Sequence, residues 1–199
     1  MCLVHKNKII MKNITKKISV LLVIISVISC RAQQILPLNT FLDDIPANAH
    51  LKDLNNQLEP FIGIYKANFN NRETTLYITK IEDHLEKSTG KSYFSDILDI
   101  KFIVKDSYGN VLQDTKNIND TKNELQSIGI HPNGNAEFFY SGTNCDVGWG
   151  GVTLNKVNAN QISWHYKPNG SDLTEKLCPG NPDIKVYLPY TKGLIFNKQ

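Results

Sequence analysis

The stretch ILDIKFIVK, Ile97–Lys105, carries the clearest structural pattern in the chain. Leu98, Ile100, Phe102 and Val104 take every second position, and the positions between them are mainly polar or charged. Because successive side chains of a strand point to opposite faces, this period of two predicts a strand with one buried and one solvent-exposed face. Such strands are typical of antiparallel sheets.

Short segments with the same pattern lie on both sides of this strand, separated by turns rich in Asn and Gly. They are 61–69, 74–81, 111–113, 125–130, 136–141, 151–157, 161–167, 184–188 and 193–197. We therefore predict an all-β fold, a single antiparallel meander of roughly nine short strands that forms a barrel or a sandwich. Leu98, Phe102, Trp164 and Phe196 are the predicted core residues.

Two other segments have a different predicted role. Leu51, Leu54 and Leu58 have helical spacing within His50–Pro60, which predicts one short helix at the N-terminal end of the fold. The polar segment 83–90 is predicted to be a connection between strands.

The N-terminal 29 residues have the composition of a signal peptide. Lys12, Lys16 and Lys17 precede an apolar run from Ile18 to Ser29. That run is twelve residues long and contains two serines, too short for a membrane span of about 20 apolar residues. Because Met11 would start a signal peptide with its lysines close to the N-terminus, we take it as the initiator.

The signal peptide ends in Val27-Ile28-Ser29-Cys30, which resembles a bacterial lipobox. This favours lipidation of Cys30 and anchoring by several acyl chains. Ordinary cleavage after Ala32, which would leave a secreted protein, is the alternative. The sequence thus divides into 1–29 as signal peptide, 30–49 as lipidated cysteine and extended tether, and 50–199 as a single β domain.

Processing changes the charge of the chain. The full sequence has a net charge of +3, but five lysines and no acidic residue precede Cys30. The remainder has 17 basic and 19 acidic residues and a net charge of −2. With no basic cluster interleaved with aromatic residues, no nucleic-acid partner is expected.

Cys145 and Cys178 are the cysteines that remain after Cys30. In an exported protein two such thiols are expected to pair, and the sequence predicts a disulfide between them. A nucleophilic cysteine is the disfavoured alternative, since it would need one thiol to stay free.

The segments around these cysteines are the candidate ligand or partner loop. Asp146 and Trp149 lie in a glycine-rich stretch, and Pro179 and Asn181 lie in the facing one. Trp149 is expected to plug one end of the sheet, with stacking on a sugar or a partner surface as the alternative.

Catalytic and metal signatures are weak. His50, His84, His131 and His165 have no second ligand at metal-binding spacing, so no metal and no cofactor are expected. No nucleophile or phosphate-loop motif occurs. A glycoside hydrolase assembles its pair of catalytic carboxylates in space and not in sequence, so the sequence leaves this alternative open.

Several blocks together resemble a family of Bacteroidota (flavobacterial) cell-envelope lipoproteins and secreted proteins with a domain of unknown function. They are LPLNT, LKDLNNQLEPFIGIYKANF, TLYITK, SGTNCDVGWG, CPGNP and YLPYTKGLIFNKQ. The resemblance covers nearly all of the mature chain and implies an envelope location and a small β domain. Gly63-Ile64-Tyr65 is also similar to the first strand of calycin-type barrels, with tyrosine in place of their usual tryptophan.

Three functions are compatible with these features. The first is a non-catalytic binding or structural lipoprotein, monomeric and facing the periplasm from the outer membrane in preference to the cell surface. Its expected partners are the membrane, through Cys30, and an envelope protein, glycan or lipid. The second is a barrel that carries a lipid or other apolar ligand. The third is a small hydrolase acting on envelope polymers.

Overall fold

The computed structural model describes residues 34–88, 90–117 and 124–199. Residues 35–199 form one compact unit. The described part contains eleven strands: β1 Ile35–Pro37, β2 His50–Lys52, β3 Gly63–Phe69, β4 Arg72–Ser88, β5 Lys91–Asp106, β6 Val111–Asp114, β7 Leu125–Ile130, β8 Ala136–Tyr140, β9 Gly150–Asn158, β10 Gln161–Pro168 and β11 Lys192–Lys198. Three short 3₁₀ helices span Leu42–Asp44, Glu59–Phe61 and Asn144–Asp146.

Eight of these strands close into an antiparallel barrel. Their order is β5-β4-β3-β11-β10-β9-β8-β7, and β7 returns to β5 through the register pair Asp99 and Gln126. Side chains support this seam, since the Ser127 hydroxyl accepts a hydrogen bond from the Leu98 N–H at 2.8 Å. The prediction of an all-β meander is confirmed, and the architecture is a barrel.

Large aromatic side chains fill the barrel. The fully buried ones are Phe61, Tyr65, Phe102, Phe138, Tyr140, Trp164, Tyr166 and Phe196. The Trp164 Nε1–H donates to the Pro189 carbonyl at 2.8 Å, and the Tyr166 hydroxyl donates to the Gly148 carbonyl. All four predicted core residues, Leu98, Phe102, Trp164 and Phe196, are confirmed at 0% exposure.

The strand Ile97–Lys105 is confirmed as part of β5, with one difference. Leu98, Ile100, Phe102 and Val104 point inward and are fully buried. Ile97 and Asp99 on the opposite face are also buried, at 3% and 5% exposure. On that face Asp99 pairs with Gln126 of β7, whose side-chain amide donates to the Asp99 carboxylate at 3.3 Å.

The predicted helix in His50–Pro60 is wrong. His50–Lys52 forms β2, which pairs in parallel with β5, and only the 3₁₀ turn Glu59–Phe61 is helical. The Asp53 carboxylate accepts hydrogen bonds from the N–H groups of Gln57 and Leu58, which competes with a helix. Leu54 is 60% exposed, so the three leucines do not share a face.

The extended tether predicted for 30–49 is wrong for its described part. Within it, β1 pairs in parallel with β2, which departs from a purely antiparallel meander. Ile45 and Ala49 are buried with Leu51 in a second, smaller core. The folded unit therefore begins at Ile35 and not at residue 50. We call residues 35–52 the N-terminal arm.

Two further assignments differ. The predicted connection 83–90 is mostly strand, since β4 continues to Ser88 after a bulge at which Asp83 has φ +52°. Polar residues fit there because this end of the hairpin is largely solvent-exposed. The predicted strand 184–188 is irregular, and its Leu188 packs on the main core.

The signal peptide 1–29 and Cys30 lie outside the described residues.

Candidate functional site

An apolar groove of ≈ 660 Å³ lies between the N-terminal arm and the barrel. Its volume falls within the range of about 300–1,000 Å³ that is common for ligand sites. The apolar lining residues are Leu38, Phe41, Leu42, Ile45, Leu51, Leu58, Tyr93, Ile97, Ile128, Ile130 and Pro132. The groove is therefore bounded by the N-terminal arm, the β4–β5 hairpin and the β7–β8 hairpin.

Backbone hydrogen bonds fix the arm as one wall of this groove. The Asn48 N–H donates to the Ser92 carbonyl at 2.8 Å, and the Phe94 N–H donates to the Ala49 carbonyl at 2.9 Å. The Lys91 ammonium donates to the carbonyl of Leu42 and, at 2.8 Å, to that of Ile45. These contacts hold the wall in place while leaving its outermost side chain, Phe41, 80% exposed.

A charged network joins the base of the arm to the barrel beside the groove. The Asp96 carboxylate, whose side chain is 4% exposed, accepts hydrogen bonds from the N–H groups of Asp53 and Asp83 and from the Lys52 ammonium, at 3.0–3.1 Å. The Lys80 ammonium lies 3.7 Å from the same carboxylate. This network fixes the bulge in β4 against β2.

The network also shifts the titration of its members. Burial works to raise the pKa of Asp96, but the hydrogen bonds from Asp53, Lys52 and Asp83 outweigh it and hold that pKa below its usual value. Hydrogen bonds from Lys52 and then His50 lower the pKa of Asp83. Burial opposes the charge of Lys52, but its bonds to Asp83 and Asp96 raise its pKa. All three groups are therefore stabilised in their charged forms.

Two carboxylates line the groove outside this network. Glu137 accepts a hydrogen bond from the Thr153 hydroxyl at 2.9 Å and lies 3.6 Å from His131 Nε2. Glu86 stands opposite Tyr93 across the β4–β5 ladder. Burial first, and the Glu86 charge second, raise the pKa of the Tyr93 phenol, which keeps it protonated. The groove thus combines an apolar lining with a few polar groups.

The predicted disulfide between Cys145 and Cys178 is confirmed, with their Cα atoms 5.4 Å apart. It ties the loop before β9 to the irregular segment before β11. Two hydrogen bonds add to this tie, from the Asn144 side chain to the Asp183 carbonyl at 2.7 Å and from the Ser171 hydroxyl to the Asp146 carbonyl at 2.8 Å.

The backbone of this loop is held in an unusual conformation. Cys145 and Asp146 have φ values of +58° and +55°. Gly148 has φ +77°, and a Cβ there would lie 2.5 Å from the Val186 side chain. The loop is therefore built by close approach of its backbone to the neighbouring segment.

The four predicted loop residues are all exposed but do not form one site. Asp146 and Pro179 line a separate cavity of ≈ 590 Å³ beside the disulfide, while Asn181 lies at a turn with φ +49°. Trp149 is 38% exposed and tilts against Phe139 at a ring distance of 6.2 Å. Its Nε1–H donates to the Gly170 carbonyl at 3.0 Å. Tyr166, not Trp149, occupies the buried position at this end of the barrel.

Sequence reasoning missed the groove. Its lining comes from segments more than 80 residues apart, and one wall lies within 30–49, which the sequence predicts to be a tether. The signal that could have found it is the run of apolar residues Leu36, Leu38, Phe41, Leu42 and Ile45, which is unusual for a solvated linker.

Within 34–88, 90–117 and 124–199, no group of three or more His, Cys, Asp or Glu side chains is placed to hold a metal ion. In that part of the chain no helix has the length and apolar character needed to cross a bilayer.

Comparison of the chain with family models, curated proteins and solved structures finds no match.

Proposed function

We propose that this protein is an exported, lipid-anchored envelope protein whose β-barrel domain binds an apolar ligand in the groove between the N-terminal arm and the barrel. It acts as a monomeric, non-catalytic binding module of the envelope family that its sequence resembles. The observation that carries the proposal is the apolar groove of ≈ 660 Å³ on a barrel whose interior is occupied by side chains.

The filled interior favours an external site over an internal one. Small barrels of eight strands either fill with side chains or hold one small ligand. Here Tyr65, Tyr140, Trp164 and Tyr166 are at most 1% exposed, and Trp164 and Tyr166 are fixed by hydrogen bonds to backbone carbonyls. A ligand inside the barrel would have to displace them, whereas the groove offers apolar surface without rearrangement.

The aspartates with a shifted pKa are not poised to act as general acids. A general acid at neutral pH needs a raised pKa. Among the described residues, the aspartates with a shifted pKa all have values below the usual one; they are Asp83, Asp96, Asp106, Asp114 and Asp183. Hydrogen bonds cause each of these shifts and, for Asp96 and Asp114, outweigh the opposing effect of burial. These groups are held ionised, as suits structural roles.

A neutral fluorescent probe tests the groove. N-phenyl-1-naphthylamine gains fluorescence in apolar surroundings and is expected to bind the purified domain with a saturable signal. Phe41 and Ile128 line the groove and are 80% and 73% exposed, so the double substitution Phe41→Ser with Ile128→Asn should leave the fold intact. Losing two partly buried contacts with the probe should weaken its affinity about tenfold.

The control removes exposed apolar side chains elsewhere. Val111 and Val157 are 55% and 50% exposed and do not line the groove. Val111→Asn with Val157→Asn should leave probe affinity within about twofold, because neither side chain reaches the ligand. Equal loss in both double variants, or no saturable binding by the unchanged protein, would rule out the groove as the site.

Export and anchoring are tested at Cys30. Cys30→Ala should abolish incorporation of labelled palmitate and release the protein from the membrane fraction. Continued labelling of the variant would show that Cys30 is not the lipidated residue.

A further inference from the structure

Glu86 places a half-buried carboxylate beside the apolar lining of the groove. It lies on β4, opposite Tyr93, which lines the same groove. In the described part of the chain this carboxylate has no hydrogen-bond or ion-pair partner. A partly desolvated charge without a partner is unfavourable, so its position needs an explanation.

The other carboxylates that line the groove have partners in the protein. Asp96 is bonded to Lys52 and lies near Lys80. Glu137 lies beside His131 and accepts the Thr153 hydroxyl.

Cationic side chains are scarce at the groove. No lysine or arginine is among the described residues that line it. Lys91, at the arm, directs its ammonium to the backbone carbonyls of Leu42 and Ile45. Among the described carboxylates that line the groove, Glu86 is therefore the one without a hydrogen-bond or ion-pair partner.

We infer that the groove takes an amphiphile with a single long apolar chain and a cationic, hydrogen-bond-donating head, such as a primary ammonium group, which pairs with Glu86. This inference rests on the proposed binding function of the groove. The apolar lining takes the chain, and Glu86 selects the head. Pairing at a partly desolvated carboxylate is stronger than in bulk water, whereas an anionic head would be repelled by Glu86.

Three ligands with the same chain separate the contribution of the head. Dodecylammonium, 1-dodecanol and dodecanoate are titrated into the purified domain by calorimetry, below their aggregation concentrations and at low ionic strength. Dodecylammonium should bind at least tenfold more tightly than dodecanoate, with 1-dodecanol between them. In Glu86→Gln the difference between dodecylammonium and 1-dodecanol should fall below threefold, while the affinity for 1-dodecanol stays unchanged.

Glu82→Gln is the matched control. Glu82 lies on the same strand, is 69% exposed in its side chain and is not part of the groove lining. It should keep the full preference for dodecylammonium. Equal binding of the three ligands by the unchanged protein, or an undiminished preference in Glu86→Gln, would overturn the assignment of the head group and leave the groove itself standing. No binding of any of the three would overturn the proposed function together with this inference.

Discussion

Replacing Asp96 by asparagine tests whether the charged network holds the N-terminal arm to the barrel. The substitution keeps the shape of the side chain but removes its charge, and its NH₂ group cannot accept from the N–H groups that now point at the carboxylate. Asp96 accepts three hydrogen bonds, from the N–H groups of Asp53 and Asp83 and from the Lys52 ammonium, and its side chain is 4% exposed.

The expected loss follows from these contacts. A hydrogen bond to a charged group contributes about 1.5–3 kcal/mol, and the amide oxygen can keep one or two of the three. Lys52 is 24% exposed and regains some hydration when its partner loses charge. We therefore expect Asp96→Asn to lower the free energy of unfolding by about 2–4 kcal/mol, a large share of the roughly 5–15 kcal/mol of an ordinary domain.

The pH dependence gives a second readout with a definite sign. Because the pKa of Asp96 in the folded protein lies below the usual 3.8, its ionised form adds stability that is fully present above that value. This contribution is lost as the pH falls through the lowered pKa. The unchanged protein should therefore lose stability more steeply than Asp96→Asn on acidification below about pH 5.

Urea denaturation followed by tryptophan fluorescence, repeated between pH 2.5 and 7, measures both quantities. Glu82→Gln, at an exposed position of the neighbouring strand β4, is the control and should change stability by less than about 0.5 kcal/mol. If Asp96→Asn unfolds at the same urea concentration as the unchanged protein and shows the same acid slope, the network does not stabilise the fold.

Three further predictions concern the disulfide, the core and the wall of the groove. Replacing Cys145 and Cys178 together by serine should cost about 3–4 kcal/mol, the chain-entropy value for a separation of 33 residues, measured as a lower urea midpoint. Trp164→Phe should cost about 2–4 kcal/mol in the same assay, because it leaves a cavity and removes the donor to the Pro189 carbonyl. Lys91→Met should speed amide hydrogen exchange in residues 42–45 with little change in global stability, because it removes the hydrogen bonds from the Lys91 ammonium to the Leu42 and Ile45 carbonyls. An unchanged urea midpoint in either of the first two variants, or unchanged exchange in the third, would contradict the corresponding contact.

The strands of the barrel could be predicted because their signal is local. The period of two in Ile97–Lys105 marks β5 without any knowledge of its neighbours, and its inward residues are buried as expected. The disulfide could also be predicted, because an exported chain would be expected to pair the two cysteines that follow Cys30. Barrel closure was not predictable, because it depends on the pairing of Asp99 with Gln126, which have no mutual signature in sequence.

The errors concern residues whose structure is set by distant partners. His50–Lys52 is a strand because it pairs with β5. This pairing, together with the hydrogen bonds that the Asp53 carboxylate accepts from the Gln57 and Leu58 N–H groups, overrides the helical spacing of the leucines. The arm folds because Ile45, Ala49 and Leu51 form a buried cluster that packs against Tyr93 of β5. A segment with two prolines and no period gives no local sign of such contacts.

The packing of the arm on the barrel does not account for the exposed apolar side chains that line the groove. Ile45 and Ala49 are buried with Leu51, and backbone hydrogen bonds join the arm to β5. Phe41 and Ile128 remain 80% and 73% exposed on the same groove, where they add little to that burial. Adjacent exposed apolar side chains around a concave surface are typical of a binding site, whereas single ones need no explanation. If they only filled a gap between arm and barrel, replacing them would lower stability and leave probe affinity unchanged. Binding at the groove requires the opposite result, in which stability is retained and affinity falls.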